Sequence, residues 1–237
     1  MILEYGALPD QTIDLTAGSG NAAPRPLVVL VHGGFWKPLH DRTHMQSLAV
    51  TLAAAGWSVA NIEYRRVPGD PDATLSDVAH AYTALRSTVV PHDGRKLSVG
   101  FSAGGHLALW LAATSKDSSL CGAIGMAPVA DLALAQELGL GDGAVKLFLG
   151  VQLARRATLD PCRLRAPACP VSLLHGEDDA VVPIQVSESY LAAHPQTRLV
   201  RVPALGHMPL IDPAGAAWPL LVAELQRLTG ARPYRPR

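Results

Sequence analysis

Gly100-Phe101-Ser102-Ala103-Gly104 follows the short apolar run Lys96-Leu97-Ser98-Val99 and opens a stretch rich in alanine and leucine. A serine therefore stands where a strand must turn sharply into a helix. A turn this tight leaves no room for Cβ atoms beside the serine, which accounts for the flanking glycines, and it lifts the hydroxyl out of the sheet. Five residues alone are a weak signal. Their meaning comes from the strand before, the helix after and suitable partners later in the chain.

That context is present. Short apolar, β-rich runs alternate with longer stretches of helical period, the sequence form of βα units stacked on a mostly parallel sheet with helices on both faces. Strands are expected at Leu27–Val31, Trp57–Glu63, Lys96–Gly100, Cys121–Met126, Val171–Leu174 and Arg198–Val202, with a weaker one at Thr12–Leu15. Helices are expected at Arg42–Ala55, Ala73–Val90, Ser102–Ala113, Ile184–His194 and Pro213–Leu228. Between the fourth and fifth main strands, Ala127–Pro170 is rich in Gly, Ala and Pro, with broken helical periodicity at Leu132–Leu138 and Val145–Leu153; it reads as a small cap or flap. The first 26 residues, with Gly18-Ser19-Gly20-Asn21 and Pro24-Arg25-Pro26, should add an edge strand or a hairpin. The proline-broken tail from Gly230 to Arg237 should be flexible.

Length and composition narrow the function classes. A chain of 237 residues suits one α/β domain with a real core. With 49% hydrophobic and 17% charged residues, no window reaches the about 18 uninterrupted apolar residues of a membrane span. The net charge is zero and no basic run occurs, so neither nucleic acid nor a membrane surface is expected as a partner. Small neutral substrates fit better. Cys121, Cys162 and Cys169 are too few for a disulfide framework, and the N-terminus lacks a basic segment followed by an apolar one. A cytoplasmic location follows as the expectation. Cys162 and Cys169 flank a loop that could be bridged or bind metal, but a zinc site needs four ligands and no second pair is present.

A serine hydroxyl needs a base, a carboxylate to orient that base, and donors for the developing oxyanion. Leu27–Val31 runs into His32-Gly33-Gly34-Phe35-Trp36, whose glycines leave backbone N–H groups free to face a ligand oxygen. The donors are expected from the N–H groups of Gly34 or Phe35 together with Ala103, the residue after the serine. Val171–Leu174 leads through His175 and Gly176 into the acidic turn Glu177-Asp178-Asp179, which supplies the carboxylate. The base is His207 in Ala204-Leu205-Gly206-His207-Met208-Pro209, just past the last expected strand. The serine–acid–histidine order is that of the α/β-hydrolase fold.

Over about residues 25 to 228 the chain resembles the carboxylesterase branch of the α/β-hydrolases, near acetyl-xylan and feruloyl-type esterases, hormone-sensitive-lipase-like esterases and kynurenine formamidases. His-Gly-Gly-x-Trp at His32–Trp36 is similar to the oxyanion signature of the formamidases; the lipase-like esterases usually carry a third glycine where this chain has Phe35. Glu63-Tyr64-Arg65-Arg66-Val67-Pro68 resembles a Tyr-Arg-Leu-Ala-Pro segment of these esterases. The spacing of the acid loop in related hydrolases selects Asp179, four residues past His175 and four before Pro183, with Asp178 as the alternative. Two departures stand out: Phe101 replaces a histidine before the nucleophile, and Pro209 replaces an acidic residue after the base.

The resemblance implies a cofactor-free serine hydrolase that cleaves small carboxylic esters through a Ser-His-Asp triad and an acyl-enzyme, with a small-molecule ester or amide as its partner, no metal and an unassigned oligomeric state. Its alternatives are an arylformamidase, a prolyl-oligopeptidase-like peptidase and a non-catalytic ligand-binding module. Trp36 either plugs the core or lines the substrate pocket. His106 is too close along its own helix to serve Ser102 and should pack in the core, His32 should shape its loop, and His175 and Arg65 should be structural.

Overall fold

The computed structural model describes residues 1–20, 24–151 and 156–230. Among these, eight strands form one sheet: β1 (Ile2–Glu4), β2 (Thr12–Thr16), β3 (Leu27–Val31), β4 (Val59–Ile62), β5 (Lys96–Phe101), β6 (Leu120–Met126), β7 (Val171–Gly176) and β8 (Arg198–Val202). Their spatial order is β1-β2-β4-β3-β5-β6-β7-β8. β1 and β2 form the expected N-terminal hairpin, β2 lies antiparallel to β4, and every later pairing is parallel. The expected tail beyond Gly230, Asn21 of the lead-in and the end of the stretch Val145–Leu153 lie outside the described residues.

The central strands are sandwiched, which is why they read as unbroken apolar runs. All five residues of β3 and all six of β5 and β7 are buried. Alternate side chains feed two cores. Val29, Val31, Ile62 and Leu173 meet Leu75 and Val78 of α2 (Pro71–Ala84), Leu107 and Leu111 of α3 (Ala103–Thr114) and Val186 and Tyr190 of α7 (Gln185–Ala193). On the other face Val28, Leu30, Val99 and Leu174 meet Leu48 and Leu52 of α1 (Gln46–Ala54) and Leu221 and Leu225 of α8 (Trp218–Thr229). Each fully buried aliphatic side chain is worth about 1.5–3 kcal/mol, so these two layers dominate stability. No helix of the described residues is long and apolar enough to cross a membrane.

Element boundaries moved where turn chemistry overrode periodicity. α2 begins at Pro71, before the expected Ala73, because Asp70 accepts from Ala73 N–H at 3.2 Å and the proline occupies the first turn. α8 begins five residues later than expected. Asp212-Pro213-Ala214-Gly215 has the residues of a β-turn, and Gly215 N–H donates to Asp212 O at 3.0 Å, so helix starts only at Trp218.

The stretch Ala127–Pro170, expected to form a cap or flap, contains α4 (Leu132–Glu137), α5 (Leu140–Leu149) and α6 (Arg156–Leu159) among its described residues. α5 opens with Gly141, Asp142 and Gly143 in left-handed conformation, so its regular turns lie beyond them. Cys121, Cys162 and Cys169 are half-buried free thiols, each pushed up by burial. The bridge between Cys162 and Cys169 is not made.

His106 on α3 is fully buried, its Nε2 lies 2.9 Å from Leu159 O, and burial lowers its pKa from 6.5 to about 4 despite that bond. Between those pH values the unfolded chain carries a proton the folded one does not, so His106 makes stability fall as pH drops from 6.5 toward 4. Asp160, pushed by burial up to about 6, acts oppositely over part of this window. Comparison with a variant isolates the histidine: wild type should lose up to about 3 kcal/mol of unfolding free energy relative to His106→Gln between pH 7 and 4, by denaturant titration. Parallel pH dependences would contradict the assignment.

Candidate active site

Ser102 sits at the expected turn between β5 and α3, with φ 55° and ψ −120°. A non-glycine residue there costs on the order of 1–3 kcal/mol and persists only when its surroundings dictate it. Here the dictation is steric and hydrogen-bonded. A Cβ on Gly100 would lie 2.0 Å from Gly104 O, and one on Gly104 would lie 2.1 Å from Val31 O, so both motif glycines are obligatory. Ser102 N–H donates to Met126 O at 2.8 Å, and Ser102 O accepts from Val129 N–H at 3.1 Å and His106 N–H at 3.2 Å.

The loop after β3 presses against this turn: a Cβ on Gly33 would stand 3.0 Å from the Ser102 Cβ. Gly34, Phe35 and Trp36 then follow with φ of 108°, 52° and 55°. The N–H groups of Gly34, Phe35 and Ala103 donate to no other described residue. That of Ala103 also lies at the N-terminus of α3, where the helix dipole favours negative charge.

His32 anchors the loop. Its Nε2 lies 3.0 Å from Glu63 Oε1 and its Nδ1 2.8 Å from Gly33 O, while the ring stacks on Tyr64 at 4.3 Å. Tyr64 Oη donates to His32 O at 2.7 Å. Glu63 also accepts from Arg66 and, at 2.9 Å, from Arg42 N–H. Burial alone would raise its pKa, but the His32 hydrogen bond, with Arg42 and Arg66, lowers it to about 2. The sequence signal for Glu63 is a carboxylate closing the expected strand Trp57–Glu63, one residue beyond the end of β4. Arg65 is structural as expected, with Nε 2.7 Å and Nη2 2.8 Å from the buried Asp77.

The acid loop distinguishes its carboxylates. Glu177 and Asp178 are exposed, whereas Asp179 is buried. Asp179 Oδ1 accepts from Val181 N–H at 2.9 Å and Val182 N–H at 2.8 Å, and Oδ2 accepts from His207 Nδ1 at 2.6 Å. Against the burial that would raise it, bonds from His175, His207 and Val182 hold Asp179 far below the usual carboxylate range. His175, expected to be structural, braces this turn through Val182 O at 2.7 Å and Ser187 Oγ at 2.7 Å.

His207 is held by Asp179 on one side and by the Phe101 ring, next to Ser102 in the chain, on the other. Glu177 N–H donates to Val202 O at 3.0 Å and Asp178 N–H to Leu205 O at 3.1 Å, which ties the acid and base loops together. The Phe101 ring, one residue before Ser102, lies 4.6 Å from the imidazole. Pro209 is the second residue of a short 3-10 turn, Met208–Ile211, and leaves the His207–Asp179 bond intact. Among the described residues the Ser102 hydroxyl makes no hydrogen bond.

Trp36 is 3% exposed, stacked on Phe148 of α5 at 4.5 Å and edge-on to His106 at 5.1 Å. The one group of metal-competent side chains among the described residues is Asp131, Asp160 and Cys162. Its carboxylates already cap backbone: Asp131 takes Leu134 N–H at 2.9 Å and Asp160 takes Ala133 N–H at 3.3 Å.

Comparison with known proteins agrees with this architecture. The chain is 25% identical to esterase LipC of Mycobacterium tuberculosis over 235 residues, covering 86% of this chain and 58% of LipC. It is 31% identical to kynurenine formamidase of Danio rerio over 115 residues, covering 48% of this chain and 39% of the formamidase. It thus spans little more than half, or less, of the length of these curated relatives. A truncated carbohydrate esterase from gut microbiota superposes with a TM-score of 0.80 at 17% identity, over 97% of this chain and 95% of that one. The fold is that of the α/β-hydrolases, as the sequence led us to expect. The BD-FAE family model matches residues 13–132, from β2 through the Ser102 turn to the start of α4, and on that match this chain belongs to the BD-FAE family.

Proposed function

We propose that this chain is a serine hydrolase that cleaves small carboxylic esters through an acyl-enzyme. The observation that carries the reading is the 2.6 Å bond from His207 Nδ1 to the buried Asp179, with the imidazole packed 4.6 Å from the ring of Phe101, the residue before a serine of positive φ. With Nδ1–H given to the carboxylate, Nε2 holds the lone pair that takes the Ser102 proton. Ser102 Oγ then attacks the ester carbonyl. The N–H groups of Ala103 and of Gly34 or Phe35 receive the oxyanion, and the imidazolium returns its proton to the leaving alcohol. Water, activated by His207, attacks the acyl-enzyme and releases the acid.

Ionised Asp179 fixes the tautomer and stabilises the imidazolium without taking the proton itself. Being held well below the usual carboxylate range, it stays anionic throughout the pH range in which such chemistry runs. Supporting this reading, LipC carries the name esterase.

A second reading, an arylformamidase, is favoured by His32-Gly33-Gly34-Phe35-Trp36 and by the likeness to a protein named kynurenine formamidase. The chemistry is the same with a formamide in place of the ester. Only the relative rates separate the two.

Ser102→Ala should lower p-nitrophenyl acetate turnover by about 10³-fold or more, and Asp179→Asn by on the order of 10⁴-fold through loss of the productive tautomer. Steady-state rates on p-nitrophenyl esters of increasing chain length and on N-formylkynurenine, for wild type and Ser102→Ala, check both readings. Serine-dependent ester turnover that falls with chain length supports the esterase, and a large preference for the formamide supports the second reading. Turnover unchanged in Ser102→Ala would contradict both.

A further inference from the structure

The loop after β3 holds a conformation that its own residues oppose. Phe35 and Trp36 are the only adjacent non-glycine residues among those described that both have positive φ. Neither has glycine's freedom there, so an unsupported loop would relax and carry the Phe35 N–H away from Ser102.

The support comes from the cap. The Phe35 ring lies so close over Gly141 that a Cβ added there would stand 2.7 Å from Phe35 Cγ. The Trp36 ring stacks on Phe148 with planes 14° apart. Lys37 Nζ donates to Gly141 O at 3.0 Å. Three consecutive loop residues are thus each gripped by α5. The cap is fixed in turn to the helix that carries the serine, through His106 Nε2 and Leu159 O at 2.9 Å, and to the loop after β4, where Gly69 N–H donates to Leu147 O at 2.9 Å. The left-handed Gly141 serves this grip directly, since any side chain there would displace the Phe35 ring.

We propose that the cap helix Leu140–Leu149 holds the oxyanion loop in its donating conformation, with Phe148 and Gly141 as positioning residues for the Phe35 N–H. The proposal rests on the reading of Ser102 as nucleophile and of Phe35 as one of its oxyanion donors. It makes cap docking a condition of turnover and not only a wall around the substrate. The donors act on charge that appears in the transition state, so a loosened cap lowers kcat and spares KM.

The test compares wild type, Phe148→Ala, Gly141→Ala, Lys37→Met and the double variant Gly141→Ala/Phe35→Gly. For each, kcat and KM for p-nitrophenyl acetate are measured with the inhibition constant of a trifluoromethyl ketone, which forms a tetrahedral oxyanion on a catalytic serine. Phe148→Ala and Gly141→Ala should lose kcat about 10- to 100-fold with KM changed less than about 3-fold, and ketone affinity should fall in parallel. Lys37→Met should show the same pattern at about 3-fold. Phe35→Gly should restore much of the kcat lost in Gly141→Ala, because glycine takes the left-handed conformation unaided and removes the ring that the new Cβ strikes.

Wild-type kcat and ketone affinity in the folded variants, or a change confined to KM, would overturn the proposal. If Phe148→Ala does not fold, Gly141→Ala and Lys37→Met decide the matter alone. A wild type without Ser102-dependent turnover would instead overturn the underlying reading, and the proposal with it.

Discussion

Beneath Ser102 three backbone segments meet with no side chain between them. The end of β5 lies against the first turn of α3 at Gly100 and Gly104, and Gly104 lies against the carbonyls of Val31 and His32. Gly33 closes the contact from the other side against Phe101 O. Such approach is open only to glycine, and it fixes Ser102, the helix terminus and the loop after β3 as one unit. Because β3 to β8 run parallel, the loops after β3, β5, β7 and β8 emerge at the same edge of the sheet, the usual location of sites in open α/β sheets.

Two buried carboxylates each hold a histidine at that edge, with different consequences. Glu63 holds His32, which is 0% exposed, capped by Tyr64 and tied to its own loop through Gly33 O. Asp179 holds His207, which is 7% exposed and leaves Nε2 without a partner among the described residues. The first pairing shapes a loop. The second leaves a nitrogen available for proton transfer. Each carboxylate accepts several hydrogen bonds, which offsets the desolvation that would otherwise favour protonation.

Much of this was legible in the sequence because the signals are local. β3 and β8 formed at the expected residues, since a parallel strand covered on both faces must read as an apolar run and the last one is bounded by turn residues. The choice of Asp179 over Asp178 follows the spacing that the resemblance to related hydrolases implies, and the two differ in burial. The sequence leaves open whether the lead-in adds an edge strand or a hairpin, because β1 is three residues long with two of them exposed. The start of α8 was misplaced because Asp212-Pro213-Ala214-Gly215 suits a turn as well as a helix opening. What the sequence could not reveal is long-range: nothing in the local pattern of Phe148 or Gly141 says that they meet Trp36 and Phe35, more than 100 residues earlier. The grip of Glu63 on His32 is hidden for the same reason, because it depends on which strands are neighbours.

We propose Ser102 as the nucleophile, with His207, oriented by Asp179, as its base. This assignment is tested most directly by peptide mapping and rate measurement of fluorophosphonate labelling, in wild type and His207→Gln. The account predicts one phosphonyl group per chain, carried on Ser102, and labelling slowed by on the order of 10³-fold in the variant. An adduct on another residue, or labelling of His207→Gln at the wild-type rate, would contradict it.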